Sequence, residues 1–279
     1  MKAMLMAATV AAGLAGEAFA ADDSSASGAF RSHTINMPVR TAMAFRGASL
    51  LDKSDVIVLV ITNAKMHQDA MAGYYDRRRA VDRRIKDSET GVVYFEFSPD
   101  GKYRGYSFNF ASGNGCGYCG GNMGIDSTTR LVNGRLTGSL KGTDTDRNFD
   151  LALDVPVASD DHGAPLPADG GAPGKAYLAY HDALVKRDAK ALRTTLSDEL
   201  RETLASAAKD GKAGGYMSYL AKEHPSKSVR IGKGWSDGKT AVLLIDGESS
   251  VLKLTGEVLL LNQGGTWRVD DELTDVVMK

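Results

Sequence analysis

The sequence predicts two domains in tandem: an all-β sandwich or small barrel at residues 40–157, then an α+β unit at residues 175–279. Three observations lead there. Short runs of alternating apolar residues, with turn residues at even spacing, fill the first stretch. A run rich in Pro, Gly and Asp interrupts the pattern at 158–174. Beyond it the apolar period becomes helical, then returns to two near the C-terminus.

The chain opens MKAMLMAATVAAGLAGEAFA. Lys2, the small apolar run Ala3 to Gly16 and the small-x-small site Ala18-Phe19-Ala20 read as a secretory signal peptide, residues 1–20, cleaved after Ala20. The run is too short to cross a bilayer, and no later apolar run reaches the length of a membrane helix. The expected location is periplasmic or secreted. Residues 21–39 begin with Ser, Ala and Asp and read as a flexible lead-in.

Within the first domain, DVIVLVIT is a continuous β-branched run, the pattern of a strand buried on both faces. GVVYFEFSPDGKYRGYSFNF is two alternating strands around Ser98-Pro99-Asp100-Gly101, and TRLVNGRLTGSLKG is a hairpin turning at Asn133-Gly134. NFDLALDVPVA closes the domain with Phe149, Leu151, Leu153 and Val155 on one face. Residues 66–86 fit the strand pattern least well and read as a helix or an excursion.

ASDDHGAPLPADGGAPG, residues 158–174, has linker composition. After it, KAYLAYHDALVKR puts Tyr177, Tyr180, His181 and Leu184 on one helical face. Asp188 and Ser197 are placed to cap two further helices. Gly211 and Pro225 punctuate the end of the helical region. Four strands follow, separated by turns expected at Ser236-Asp237-Gly238, Asp246-Gly247 and Gly264-Gly265.

Amphipathic helices beginning A-Y-x-x-Y-x-x-A-L-x-x-x-D-x-x-A-L, then long strands ending W-R-V-D-D-E, resemble the nuclear transport factor 2-like superfamily. The resemblance covers about 105 residues and implies a cone, a curved sheet wrapped on helices around a tapered pocket. That superfamily holds isomerases, dehydratases and many non-catalytic binding or assembly domains, so the fold does not choose among them. Cone domains often pair through the sheet, which leaves a homodimer open.

Charge excludes one class of partner. Residues 40–157 carry 16 basic and 14 acidic side chains, and residues 175–279 carry 16 and 15, so neither half offers a broad positive field to nucleic acid. YYDRRRAVDRR concentrates five arginines within residues 77–84. Asp76 and Asp82 interrupt that run, and a solvated face with local ion pairs is the commoner outcome.

Both cysteines lie in GNGCGYCGGNMG. The glycines after Cys119 will not start the helix that a thioredoxin-type thiolate needs, and no second pair of cysteines supplies zinc ligands. An exported chain meets an oxidising compartment, so a Cys116–Cys119 disulfide clasping a glycine loop is expected. Residues Asn114, Tyr118 and Asn122 of that loop are candidates for a partner contact.

No nucleophile elbow or metal-ligand spacing occurs, and no cofactor is implied. Tyr177 and His181, one turn apart, are candidate pocket residues together with Trp235, although packing is the commoner role of all three. The reading is an exported, non-catalytic binding protein. It would take a small apolar ligand in the cone pocket, or an envelope or secreted protein as partner. Two rivals stand: a pocket enzyme using His181 as acid or base, and an inhibitor or immunity protein for a secreted toxin.

Overall fold

The computed structural model describes residues 25–32, 35–66, 71, 73–85, 90–110, 115–119, 124–144, 146–222 and 224–277. The signal segment and the partner-contact candidates Asn114 and Asn122 lie outside these residues. Among the described residues no helix is long and apolar enough to cross a membrane.

Among the described residues the first unit is mostly β, with a helix between its fourth and fifth strands. Its strands are β1 (Ser25–Ser32), β2 (Ile35–Pro38), β3 (Thr41–Ala48), β4 (Asp55–Thr62), β5 (Gly91–Phe97), β6 (Tyr103–Phe110), β7 (Gly115–Cys119), β8 (Gly124–Ser127), β9 (Arg130–Val132), β10 (Arg135–Thr143) and β11 (Arg147–Ala158). The order is β2-β1-β11-β3-β4-β5-β6-β7, with β10 also on β11 and carrying β8 and β9. Pairing is antiparallel except where Val157 and Ala158 of β11 meet Ala44 and Phe45 of β3. Phe30, Ile57, Leu59, Phe95, Tyr106, Phe149, Leu151 and Val155 meet in one aromatic-rich core.

Several sequence expectations translate directly. In β4, Ile57, Leu59 and Ile61 enter that core while Val56, Val58 and Val60 enter a second cluster on the opposite face. Asn133 and Gly134 both have positive φ, 49° and 73°, the conformation of a tight two-residue hairpin turn. Phe149, Leu151, Leu153 and Val155 of β11 all point inward.

Three expectations are corrected. Residues 25–32 and 35–38, expected within the flexible lead-in, form β1 and β2. Phe30 and Met37 are fully buried, because the outer edge of β11 needs a partner for its backbone. The cysteine pair sits in β7, hydrogen-bonded to β6, rather than on a loop. The arginine run is a solvated face only in part, with Asp82 and Arg84 exposed. It forms α1 (Arg77–Arg84), capped by the Asp76 carboxylate accepting from the Arg79 N–H. Arg77 is buried and donates to the Ser159 carbonyl at 2.7 Å, and Arg78 pairs with buried Glu96 at 2.6 Å while lying 5.3 Å over the Tyr94 ring.

The second unit begins before residue 175. The stretch expected as linker contributes β12 (Ala164–Pro165), which pairs with β13 (Ser228–Ser236), and α2 (Gly171–Val185) starts inside it. Then come α3 (Ala189–Thr195), α4 (Asp198–Lys209) and α5 (Ala213–Lys222). Asp188 and Ser197 cap α3 and α4 as expected: Asp188 accepts from Lys190 and Ala191, and Ser197 from Leu200. The remaining strands are β14 (Thr240–Glu248), β15 (Lys253–Gln263) and β16 (Thr266–Val276), and the sheet runs β12-β13-β14-β15-β16. Asp246-Gly247 is strand rather than turn. A Cβ at Gly247 would stand 2.4 Å from Pro225, so glycine lets that proline close over the sheet. The helices cover one face, packing Tyr177, Leu192, Leu196 and Leu204 against Leu243, Ile245, Val258 and Leu260.

Candidate functional site

The other face of this sheet receives the first unit. Leu259 and Leu273 join the outer cluster of the first unit, with Met71, Tyr74, Val81 and Tyr94. Gly73 lies so close that a Cβ there would meet Leu259 Cδ1 at 2.6 Å. Polar contacts fix the register. The backbone N–H groups of Tyr75 and Asp76 donate to the Glu257 carboxylate at 2.7 and 3.2 Å, and the Tyr74 hydroxyl donates to Asp271 Oδ2 at 2.6 Å.

Glu257 is buried, and loss of hydration raises its pKa from 4.5 to about 7 against the pull of those two N–H donors. The folded state therefore holds a proton that the unfolded chain releases above pH 4.5. Stability contributed here is complete below that value and falls as pH rises towards about 7, by about 3 kcal/mol in all. Glu257→Gln keeps an acceptor for the two N–H groups. Urea titrations from pH 4.5 to 8 are expected to show a flatter profile for this variant, and higher stability than wild type at pH 8. An unchanged slope would refute the assignment.

At one margin of this contact lies a cleft of about 310 Å³. Tyr74, Arg83 and Arg84 of the first unit form one wall. Tyr180 of α2, Glu199 and Leu200 of α4, and Tyr216, Tyr219 and Leu220 of α5 form another, and Val269 to Glu272 of β16 the floor. Three consecutive acids line one cavity because β16 carries a bulge. Leu259 pairs with Asp271 and Leu260 with Val269, so Asp270 is the extra residue and the usual alternation breaks there.

The cleft is acidic and aromatic. Burial raises the Asp270 pKa, reinforced by the charges of Glu199 and Asp271 and opposed by the Ser197 hydroxyl and the Arg84 charge. Arg84 lies 5.3 Å over the Tyr74 ring, with its guanidinium nitrogens directed at the Tyr74 hydroxyl and the Met71 sulfur. Tyr216 and Tyr219 stack at 6.4 Å.

Behind the floor, Glu272 anchors a buried chain of hydrogen bonds. Its Oε1 accepts from the Tyr177 hydroxyl at 2.7 Å, and His224 Nδ1 lies 2.8 Å from Oε2. His224 Nε2 is 2.8 Å from His181 Nδ1. Where His224 Nδ1–H donates to the carboxylate and His181 Nδ1–H donates to His224 Nε2, His181 Nε2 keeps its lone pair. Burial and the neighbouring His224 both lower the His181 pKa, which favours that neutral form. The Tyr177 hydroxyl is pushed well up by burial and the Glu272 charge.

The structure thus brings Tyr177 and His181 together through Glu272 and His224, but neither is among the side chains lining the cleft. Trp235 stands apart from them on β13, stacked on Tyr75 at 5.4 Å and 6.3 Å from His162. The Cys116 and Cys119 sulfurs are at bonding distance, as expected, with Cα atoms 6.3 Å apart; Tyr118 lies between them on β7. Sequence reasoning missed Glu272, His224, Tyr216 and Tyr219. The i, i+3, i+4 spacing of Tyr216, Tyr219 and Leu220 was the signal for one of the walls. Among the described residues no group of three or more His, Cys, Asp or Glu is arranged to hold a metal ion. No protein-family model matches the chain, and no curated protein matches it.

Proposed function

We propose that this chain is an exported binding protein that holds a small molecule in the cleft between residues 71–85 and the helical layer. The observation that carries this reading is the cleft itself: about 310 Å³, lined by rings and ionisable groups from five separate parts of the chain. That space equals roughly ten waters and falls at the small end of ligand sites. The second unit is read as a cone of the nuclear transport factor 2-like kind, supported by helices followed by a four-strand meander with the helices on one face. The tapered space inside such a cone is filled here by Tyr177, Leu192, Leu196, Leu243 and Val258, so the ligand site moves to the rim. Export is supported by the cysteine pair at bonding distance.

The Glu272–His224–His181 chain favours a second reading, proton-transfer catalysis with His181 as base. It ranks below the first because the basic imidazole and the cavity lie on different sides of Glu272.

The test is a thermal-shift screen of a chemically mixed small-molecule library on the full protein and on Leu200→Trp, which fills the cleft. A ligand at about 100 times its Kd adds about 2.7 kcal/mol, a rise of roughly 5–10 °C. Hits that raise wild type and leave Leu200→Trp unmoved support the site; hits that raise both equally sink it.

A further inference from the structure

We infer that the cleft selects a protonated organic amine, a primary or secondary ammonium group on an apolar or aromatic body. The inference rests on the reading of the cleft as a small-molecule site and names the ligand class. Four carboxylates line the cavity against two guanidiniums. Glu272 is answered by Tyr177 and His224, and Asp271 by the Tyr74 hydroxyl. The charge of Arg84 reaches Asp270, but its guanidinium is turned onto Tyr74 and Met71 rather than onto a carboxylate. The cavity thus holds an excess of negative charge where water is partly excluded, and a cation entering it meets attraction that bulk solvent would screen.

The walls say which kind of cation. A bare metal ion needs converging ligands, and the acids here do not converge on a common point. Tyr216 and Tyr219 bring rings that attract cations and cover carbon, and Leu200, Leu220 and Val269 add apolar surface, while the Tyr74 ring already carries Arg84. An ammonium N–H donates to carboxylate oxygens at short range, while the carbon body of the ligand lies on the rings. A quaternary ammonium would use the rings and leave the acceptors without donors.

The experiment is isothermal titration of the full protein at pH 7.5 and low salt with 2-phenylethylamine, its neutral isostere 2-phenylethanol, the anion 3-phenylpropanoate and phenyltrimethylammonium. The same titrations are run on Glu199→Gln and Asp270→Asn. The expected result is that the amine binds at least tenfold more tightly than the alcohol or the quaternary ion, with no binding of the carboxylate. Each variant should weaken the amine about tenfold, leave the alcohol unchanged and blunt the weakening of the amine by added salt. Because Glu199 is exposed in the first turn of α4 and its side chain caps nothing, Glu199→Gln should fold normally. If the alcohol or the carboxylate binds as well as the amine in wild type but not in Leu200→Trp, the cleft is a ligand site and the amine assignment is wrong. If neither this panel nor the library screen gives a cleft-dependent ligand, the site reading falls and the inference with it.

Discussion

Glu272→Ala is expected to lower the stability of the protein by about 3–5 kcal/mol, the cost of leaving the buried Tyr177 and His224 donors without their charged acceptor. The His224 side chain is 1% exposed and that of Glu272 8%, so solvent cannot replace the lost carboxylate. The hydroxyls of Tyr177 and Tyr180 lose the same acceptor. For a chain of this size the corresponding fall in Tm is roughly 6–20 °C. Glu272→Gln should cost less, since the amide oxygen still accepts from one donor. His181→Ala should cost only about 1 kcal/mol, because that ring is half-exposed at the end of the chain of bonds. Differential scanning calorimetry of the three variants orders these effects. Equal losses for Glu272→Ala and His181→Ala would mean that the buried carboxylate does not organise the cluster.

Leu273→Ala is expected to cost about 2–5 kcal/mol and to change the form of the transition as well as its midpoint. Leu273 is 1% exposed, yet it belongs to the apolar cluster of the other unit, beneath Tyr74, Val81 and Tyr94. Its removal strikes the contact that makes the two sheets melt together. Calorimetry of wild type should show one endotherm and of Leu273→Ala two, the first unit and the second unfolding separately. A single endotherm shifted down without broadening would mean that the polar contacts of Glu257 and Asp271 suffice to couple the sheets.

What could be read in advance follows a physical line. Signals carried by neighbouring residues were legible: the double-faced burial of β4, the positive-φ pair Asn133-Gly134, and the caps Asp188 and Ser197. Signals that depend on distant partners were not. The arginines of α1 look like a solvent face until Ser159, Glu96 and Asp275 are brought to them. The glycine-dense stretch around Cys116 pairs as a strand because the edge of β6 is there to receive it. The Pro/Gly run at 158–174 has linker chemistry, but the open edge of β13 orders it through Leu166 N–H to Gly234 O. The site divides the same way. Tyr177 and His181 stood out at one-turn spacing, while their link required His224 and Glu272, far along the chain. The bulge at Asp270, which turns three successive acids towards one cavity, leaves no mark in composition.

The Tyr74–Asp271 hydrogen bond joins residues 197 positions apart, and its acceptor lies in the last strand. Synthesis therefore imposes an interval. From the time β4, β5 and α1 are complete until β16 emerges, the apolar surface around Met71, Tyr74 and Val81 has no cover from Leu259 and Leu273. A chain stalled or clipped before β16 carries that surface outward and is a candidate for capture by holding chaperones or for self-association.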